Sequence, residues 1–254
     1  MKSLHLLYHE LRPAESSYSY VTPCEEFEQH CALYARLLDS GDPDILRPEI
    51  TFDDGHASDA QHALPTLQRF GLRATFFITA GWTGQRAGFM TWPQLRELQR
   101  AGHQIGAHGV THALLTACSP AELVEELSGA RKRLEDGLGM EVRTMSLPGG
   151  RTNRRVLQAC ERAGYLQVFT SMPRAEEMAR APRTVGRLNL HRGTTTTWLQ
   201  QVLRPSTGTL TRLGLKQGVK TAAQHLLGDR IYASLWALGN RQEAEPADAG
   251  TSAS

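Results

Sequence analysis

The segment EITFDDGHASD, residues 49–59, joins a short run of residues with high β propensity to a polar turn. Its first four residues predict a strand, and Asp53 and Asp54 follow directly. In parallel α/β sheets and barrels, functional groups lie just beyond the carboxyl ends of strands, which is where these two aspartates fall. Because Asp and Gly also favour ordinary turns, this segment alone leaves a plain turn open.

The rest of the chain repeats this alternation of short apolar strands and amphipathic helices, a pattern typical of βα units around a mainly parallel sheet. Capping residues support the helices: Ser119 and Glu122 form a capping box for a helix that extends to residue 138, and Thr91 begins another. A chain of 254 residues with 40% hydrophobic residues can form one barrel. The predicted strands are residues 4–8, 49–52, 74–79, 104–107, 143–147, 167–170 and 185–190.

A second motif, AHGVTHA at residues 107–113, places His108 and His112 four residues apart after a predicted strand. On a helical turn such residues have Cβ atoms about 5–6 Å apart, close enough for both imidazoles to bind one metal ion. His5 and His9 have the same spacing, but in a strand they would stand about 13 Å apart at ~3.3 Å per residue. One aspartate with His108 and His112 would make an open three-ligand site, as in catalytic zinc sites.

The composition excludes several classes of function. The 28 basic and 26 acidic residues are interspersed and give a net charge of +2, so there is no electrostatic signature of nucleic-acid binding. The four cysteines are scattered without a CxxC motif and are interpreted as packing residues. The amino-terminal residues do not resemble a secretory signal, and no apolar run is long enough to cross a bilayer, so a cytoplasmic location is expected.

The domain prediction divides the chain into three regions. Residues 1–205 form the barrel, residues 206–240 a C-terminal helical segment, and residues 241–254 a disordered tail of small and polar residues. The helical segment mixes Lys and Arg with Leu, Tyr and Trp. It is interpreted as a helix that covers the barrel, with a helix lying on a membrane surface as the alternative.

Several motifs together resemble a known family. TFDDG at 51–55 and HGVTH at 108–112, with ATFFITAG between them and LPGGR after them, are similar to the NodB-like polysaccharide deacetylases, carbohydrate esterase family 4. The likeness runs from about residue 4 to residue 203. It implies a distorted (β/α)7 barrel of the α/β class. It also implies one divalent metal ion held by Asp54, His108 and His112, with Asp53 as the general base; zinc is expected, with cobalt, nickel or manganese as alternatives.

The LPGGR motif departs from the family pattern. In the family, the backbone N–H after the motif's proline stabilises the oxyanion, which assigns that role here to Gly149 after Pro148. Family members commonly carry an arginine two residues before the proline, whereas this chain has Ser146. Arg151, from the same loop, is therefore predicted to supply the guanidinium that orients the catalytic aspartate. Glycine in place of the usual aromatic residue predicts a sugar site of different shape.

The segment RLNLHRG, residues 187–193, resembles the late LxH motif that supplies the general acid in the family. His191, at the end of a predicted strand, is the candidate acid, and a strand-end histidine without a chemical role is the alternative. The expected function is metal-dependent removal of N-acetyl groups from an N-acetylated sugar or polysaccharide precursor, with peripheral association with the inner membrane. The alternatives are a deformylase of a lipid-linked amino sugar, a metal-independent hydrolase of small cyclic amides and a non-catalytic glycan-binding barrel.

Overall fold

The computed structural model describes residues 2–13, 16–177 and 183–227. The strands in these residues are β1 (Lys2–Tyr8), β2 (Glu10–Arg12), β3 (Val21–Pro23), β4 (Arg47–Phe52), β5 (Ala74–Ile78), β6 (Gln104–Ala107), β7 (Thr144–Ser146), β8 (Gln167–Phe169), β9 (Glu176–Glu177), β10 (Thr184–Val185) and β11 (Arg187–Asn189). The α-helices are α1 (Cys24–Asp39), α2 (Leu64–Arg69), α3 (Trp92–Arg100), α4 (Pro120–Val124), α5 (Ala130–Leu138), α6 (Arg154–Arg162), α7 (Thr196–Val202) and α8 (Thr209–Leu227).

The main sheet is parallel in the order β10-β8-β7-β6-β5-β4-β1-β11. β10 and β11 are two halves of one final strand on either side of Gly186: Val185 pairs with Phe169 of β8, and Leu188 pairs with Leu6 of β1. A Cβ at Gly186 would lie 2.3 Å from the Met172 carbonyl oxygen, so this position requires glycine. Because the final strand pairs with both edges, the seven predicted strands close into the predicted distorted (β/α)7 barrel.

Three short strands were not predicted. β2 pairs with β3 in a separate two-stranded sheet, and β9 pairs antiparallel with the start of β1. Each has only two or three residues. A run of this length shows no periodicity that a sequence pattern can reveal.

The helix predicted over residues 119–138 is interrupted. It consists of α4, a π-helical turn at Glu125–Gly129 and α5, and Ser119 forms the predicted capping box with Glu122. Four leucines of this segment are all buried against the core, namely Leu123, Leu127, Leu134 and Leu138. The π-helical turn also buries Glu126, a carboxylate that contacts a loop of the functional site.

Two apolar clusters pack against the strands. The large core between sheet and helices includes a stack of aromatic rings from neighbouring strands, with Phe52 centred 5.4 Å from Tyr8 and 5.0 Å from Phe76. Phe77, Phe169 and Val185 form a separate small cluster. Since successive strand residues alternate in direction, Asp53 continues the face of β4 opposite to Phe52.

The predicted C-terminal helical segment, residues 206–240, contains α8 over residues 209–227. Its remaining part beyond residue 227 and the predicted tail at 241–254 lie outside the described residues. Within the described ranges, no helix combines the length and apolar character needed to cross a bilayer.

Candidate metal and catalytic site

One pocket of about 980 Å³ opens at the carboxyl ends of the barrel strands. Loops after β4, β6, β7 and β11 supply its functional side chains, as expected for parallel α/β barrels. Pro148, the remaining predicted site residue, is buried and does not line the pocket. The predicted site residues that line it are Asp53, Asp54, His108, His112, Gly149, Arg151 and His191.

The three predicted metal ligands converge in this pocket. Asp54 Oδ1 lies 3.3 Å from His108 Nε2 and 3.3 Å from His112 Nε2, and the ligand atoms of all three residues lie within 4.8 Å of one another. The prediction of a helical turn between the two histidines is wrong. The chain bends there, and Gly109 (φ 82°) and His112 (φ 64°) both adopt left-handed backbone conformations.

Two of these ligands occupy strained backbone conformations. Among the described residues, Asp54 (φ 75°) and His112 are the non-glycine residues with positive φ. Such conformations cost on the order of 1–3 kcal/mol each and persist where the surrounding structure fixes them, often at functional sites. The surrounding fold therefore holds Asp54 and His112 in backbone conformations that these residues would not adopt by themselves.

The chemistry of the donor atoms fits a cation. His108 Nδ1 lies 2.9 Å from the Ser146 carbonyl oxygen, which can only accept, so Nδ1 carries the proton. The lone pair of Nε2 in the neutral ring then faces Asp54 Oδ1, which is buried and has no hydrogen-bond partner. An imidazole lone pair that faces an anionic oxygen is repulsive, and a divalent cation between them would convert both atoms into ligands.

Glu126 supports the loop that carries both histidines. Its carboxylate accepts hydrogen bonds from the backbone N–H of Val110 (2.8 Å) and of Thr111 (3.1 and 3.2 Å) and from the Thr111 hydroxyl (2.5 Å). A Cβ at Gly109 would lie 2.6 Å from Glu126 Oε2, so glycine is needed for this close approach. Glu126 was not predicted from the sequence, although it lies three residues after Leu123 on the buried side of its helix.

The guanidinium that contacts Asp53 is that of Arg187, not Arg151 as predicted. Arg187 Nη1 lies 2.7 Å from Asp53 Oδ1, Nη2 lies 2.8 Å from Oδ2, and the Ser146 hydroxyl donates to Oδ2 at 2.9 Å. Arg187 comes from β11, whose pairing with β1 brings it inside the barrel, where it is 0% exposed. Both carboxylate oxygens are thus engaged by Arg187, and Arg151 is a lining residue of the same pocket.

This ion pair keeps Asp53 anionic. Burial raises the pKa of the Asp53 carboxyl, but the positive charge and hydrogen bonds of Arg187 outweigh it, and the net pKa lies below its ordinary value. Asp53 Oδ2 lies 3.9 Å from His108 Nε2, so the carboxylate is adjacent to the ligand cluster. The sequence contained an indication of this role, because Arg187 falls within a predicted barrel strand. An arginine buried in a strand requires an acidic partner.

His191 lies on the exposed rim of the same pocket, with its ring centred 5.0 Å from that of Tyr20. Helix α1 holds the loop that follows it. His30 Nε2 lies 2.7 Å from the Thr194 carbonyl oxygen, and Glu26 accepts the N–H of Gly193 at 2.9 Å. This loop is therefore fixed by side chains more than 160 residues away in sequence.

Comparisons with known proteins connect this geometry with a family. Residues 47–168 match a family model described as polysaccharide deacetylase. The chain is 29% identical over 204 residues to YxkH of Bacillus subtilis (strain 168), a match that covers 74% of this chain and 69% of YxkH. It is 34% identical over 113 residues to the peptidoglycan-N-acetylglucosamine deacetylase PgdA of Listeria monocytogenes, which covers 44% of this chain and 23% of PgdA.

Solved structures share the barrel. The Streptococcus pyogenes deacetylase PplD, solved in complex with acetate, matches with a TM-score of 0.71 and 21% identity over 81% of this chain and 99% of PplD. BC0361, a polysaccharide deacetylase from Bacillus cereus, matches with a TM-score of 0.67 and 22% identity over 78% of this chain and 68% of that chain. At these identities the likeness concerns the fold. Together with the family model, which spans just under half of the chain, and the sequence relatives, it shows that the chain is similar in sequence and fold to the polysaccharide deacetylases (NodB-like, carbohydrate esterase family 4), which are hydrolases of amide carbon–nitrogen bonds.

Proposed function

We propose that this protein is a metal-dependent N-deacetylase of an N-acetylated saccharide. The observation that carries the proposal is the juxtaposition, in one pocket, of a three-ligand cluster with a carboxylate held by a buried arginine. A second support is the name of the listerial relative PgdA, which describes the removal of an acetyl group from an N-acetylated sugar.

In this proposal, Asp54, His108 and His112 hold one divalent cation. Two imidazoles and one carboxylate suit zinc, with cobalt, nickel or manganese as the alternatives. When bound, such an ion supplies Lewis acidity that makes a water more acidic and an acyl carbonyl more electrophilic. The protein contributes the orientation of the ligands, through the Ser146 carbonyl behind His108 and through Glu126 behind the loop.

Asp53 acts as the general base. Its carboxylate is kept anionic and fixed in orientation by Arg187 and Ser146, so it can accept a proton from the attacking water. The water oxygen forms a bond to the acetamide carbon, and the carbonyl oxygen becomes an oxyanion. The backbone N–H of Gly149, on the pocket wall, is proposed to donate to that oxyanion.

His191 acts as the general acid that completes the reaction. The carbon–nitrogen bond breaks as the nitrogen takes a proton from the imidazole, because an amide anion is a very poor leaving group. The products are acetate and the free amine of the sugar. A formyl group would follow the same steps and release formate, so the pocket is compatible with a deformylase of an amino sugar as well.

The decisive experiment measures metal content and acyl release on the same preparation. The full chain is stripped with a chelator, reloaded separately with zinc, cobalt, nickel or manganese, and assayed for acetate and formate from N-acetylated and N-formylated sugar oligomers. We expect one ion per chain and product release that the Asp53→Asn variant abolishes while it retains the metal. Release that persists in the metal-free chain would contradict the proposal, and so would metal binding without any acyl release.

A further inference from the structure

Helix α8 presents two chemically different faces. Leu210 and Leu213 pack against the core, and Gly214 approaches the loop before β9, where an added Cβ would lie 3.0 Å from the Pro173 carbonyl oxygen. These residues fix one side of α8 against the barrel. The opposite side points away from it.

The outward face of α8 carries apolar side chains, and none of the described residues covers them. Arg212, Leu215, Lys216 and Val219 follow the i, i+3, i+4, i+7 spacing that places side chains on one side of a helix. Leu215 is 67% exposed and Val219 is 71% exposed, the highest values of any large hydrophobic residue in the described part of the chain. Leu215 and Val219 lie one helical turn apart and form a contiguous apolar patch, whereas single exposed apolar residues are common on protein surfaces.

The charged residues in the segment that contains α8 are all basic. Between Glu177 and Asp229 the sequence contains eight arginines and lysines and no acidic residue. Several of the arginines are neutralised within the fold, such as Arg187 by Asp53 and Arg204 by Asp42. Arg212 and Lys216 have no ion-pair partner among the described residues, so two uncompensated cations flank the exposed apolar pair.

The same helix also forms part of the pocket wall. Leu213, Lys216 and Gln217 line the pocket that contains the three-ligand cluster. The outward face of α8 therefore adjoins the mouth through which a substrate must enter. A surface that binds the outward face of α8 would therefore lie next to a substrate that enters the pocket.

We propose that the outward face of α8 docks on an anionic lipid bilayer. Leu215 and Val219 would enter the boundary between headgroups and acyl chains, and Arg212 and Lys216 would contact the anionic headgroups. A polyanion without apolar groups would leave the two apolar side chains uncovered. A second copy of this chain would bring like charges together across a symmetric contact.

This surface also specifies the substrate class, a step that rests on the proposed function. Docking holds the pocket mouth at the headgroup level, where a saccharide attached to a membrane lipid would be presented. The substrate inferred here is thus an N-acetylated saccharide linked to a lipid in an anionic membrane.

The test uses the full chain and vesicles of phosphatidylcholine alone or mixed equally with phosphatidylglycerol. Co-sedimentation should show binding to the mixed vesicles that weakens as salt rises. Arg212→Gln with Lys216→Gln should reduce this affinity about thirtyfold, and Leu215→Ser with Val219→Ser about tenfold or more. The matched control is Val124→Ser with Leu166→Ser, which removes two similarly exposed apolar residues (62% and 58%) elsewhere and should bind like the unmodified chain.

A second readout separates docking from chemistry. Leu215→Ser with Val219→Ser should slow acetate release from an N-acetylated glycolipid in mixed vesicles and leave release from a soluble oligosaccharide unchanged. Absence of binding to mixed vesicles, or equal loss in the control, would overturn the docking surface. A dimer that forms without lipid and that the Leu215 and Val219 changes dissociate would also overturn it. Vesicle binding without acetate release from any substrate would refute the proposed function and the substrate class, and leave the docking surface supported.

Discussion

Both terminal nitrogens of the Arg187 guanidinium hydrogen-bond to the carboxylate of Asp53, with Nη1 2.7 Å from Oδ1 and Nη2 2.8 Å from Oδ2. The two residues are 134 positions apart in sequence and both are almost fully buried. Bidentate pairing fixes the orientation of a carboxylate as well as its charge. The ion pair thus gives the proposed base one orientation in the pocket.

Replacement of Arg187 by Met should lower both activity and stability. The loss of a fixed orientation should reduce kcat about a hundredfold while the metal content stays near that of the unmodified chain. An unpaired buried carboxylate should reduce the free energy of unfolding by about 3–5 kcal/mol. Urea denaturation, metal analysis and acetate release measure the three quantities.

Two further variants isolate the cause. Arg187→Met combined with Asp53→Asn should recover part of the lost stability, since no charge remains unpaired, but none of the activity. Arg151→Ala should cost less stability than Arg187→Met, because it leaves both hydrogen bonds between Arg187 and Asp53 in place. A loss of several kcal/mol in Arg151→Ala would show that the loop arginine also supports the base.

Replacement of Glu126 by Gln should weaken metal binding. A neutral amide accepts fewer hydrogen bonds than the carboxylate that contacts Val110 and Thr111, so the loop that carries His108 and His112 should loosen. Changes behind metal ligands typically cost about 10–100-fold in affinity. Zinc affinity is measured by competition with a chromophoric chelator.

The neighbouring Glu125 provides the control for this change. It lies in the same π-helical turn but is exposed and pairs with Arg133 on the surface. Glu125→Gln should therefore keep the original zinc affinity. If the two variants bound zinc equally well, the support assigned to Glu126 would be refuted.

Replacement of His103 by Asn should reduce the sensitivity of the protein to acid. Burial and, secondarily, the charge of Arg73 lower the pKa of His103 to about 4 in the folded state, and its Nδ1 accepts the N–H of Ala74. The unfolded chain takes up a proton near the ordinary pKa of about 6.5. The stabilisation by neutral His103 is therefore complete above pH 6.5 and is lost as the pH falls toward 4.

Urea denaturation at pH 7 and pH 5 measures this effect. His103 should account for about 2 kcal/mol of the stability lost between these two values. In His103→Asn the amide oxygen can still accept the Ala74 N–H, but nothing titrates at this position. An identical loss of stability in the variant and the original chain would show that His103 does not contribute.

Replacement of His30 by Leu should impair the proposed general acid without removing it. His30 Nε2 donates to the Thr194 carbonyl, so its Nδ1 accepts from Tyr8, whose hydroxyl contacts that of Tyr34. Loss of this network should free the loop after His191 and lower kcat, while the metal content is unchanged. In a His191→Gln background the same change should have little further effect on kcat, because the acid is already absent. If His30→Leu lowered kcat by the same factor with and without His191→Gln, the effect would reflect a general loss of structure instead.

Sequence patterns predicted the alternation of strands and helices and a cluster of one aspartate with His108 and His112, and the family resemblance selected Asp54 as that aspartate. The strands alternate with capped helices, and the loops that carry Asp54, His108 and His112 directly follow two predicted strands. The carboxyl ends of parallel strands meet at one end of a barrel, so convergence follows from the fold alone.

The local pattern places Arg187 and Glu126 on buried sides of their elements, but the contacts that each makes depend on features that this pattern does not contain. The position of Arg187 follows from the break at Gly186, which moves the last strand from the edge at β8 to the edge at β1. The orientation of Glu126 follows from a π-helical turn, which inserts one residue into a helix whose leucine spacing looks regular. Arg151 was predicted because it follows Pro148 in the same loop, whereas the guanidinium that contacts Asp53 comes from a strand far along the chain.

The place of Arg187 in the last barrel strand has a consequence for biosynthesis. As the chain leaves the ribosome, β4 and β6 and the three proposed cation ligands that follow them emerge well before β11. Until residue 187 is available and the final strand joins both edges, Asp53 has no countercharge. A fragment that ended before residue 183 would contain the three proposed cation ligands and the proposed base without Arg187, so the proposed site is complete only when the barrel closes.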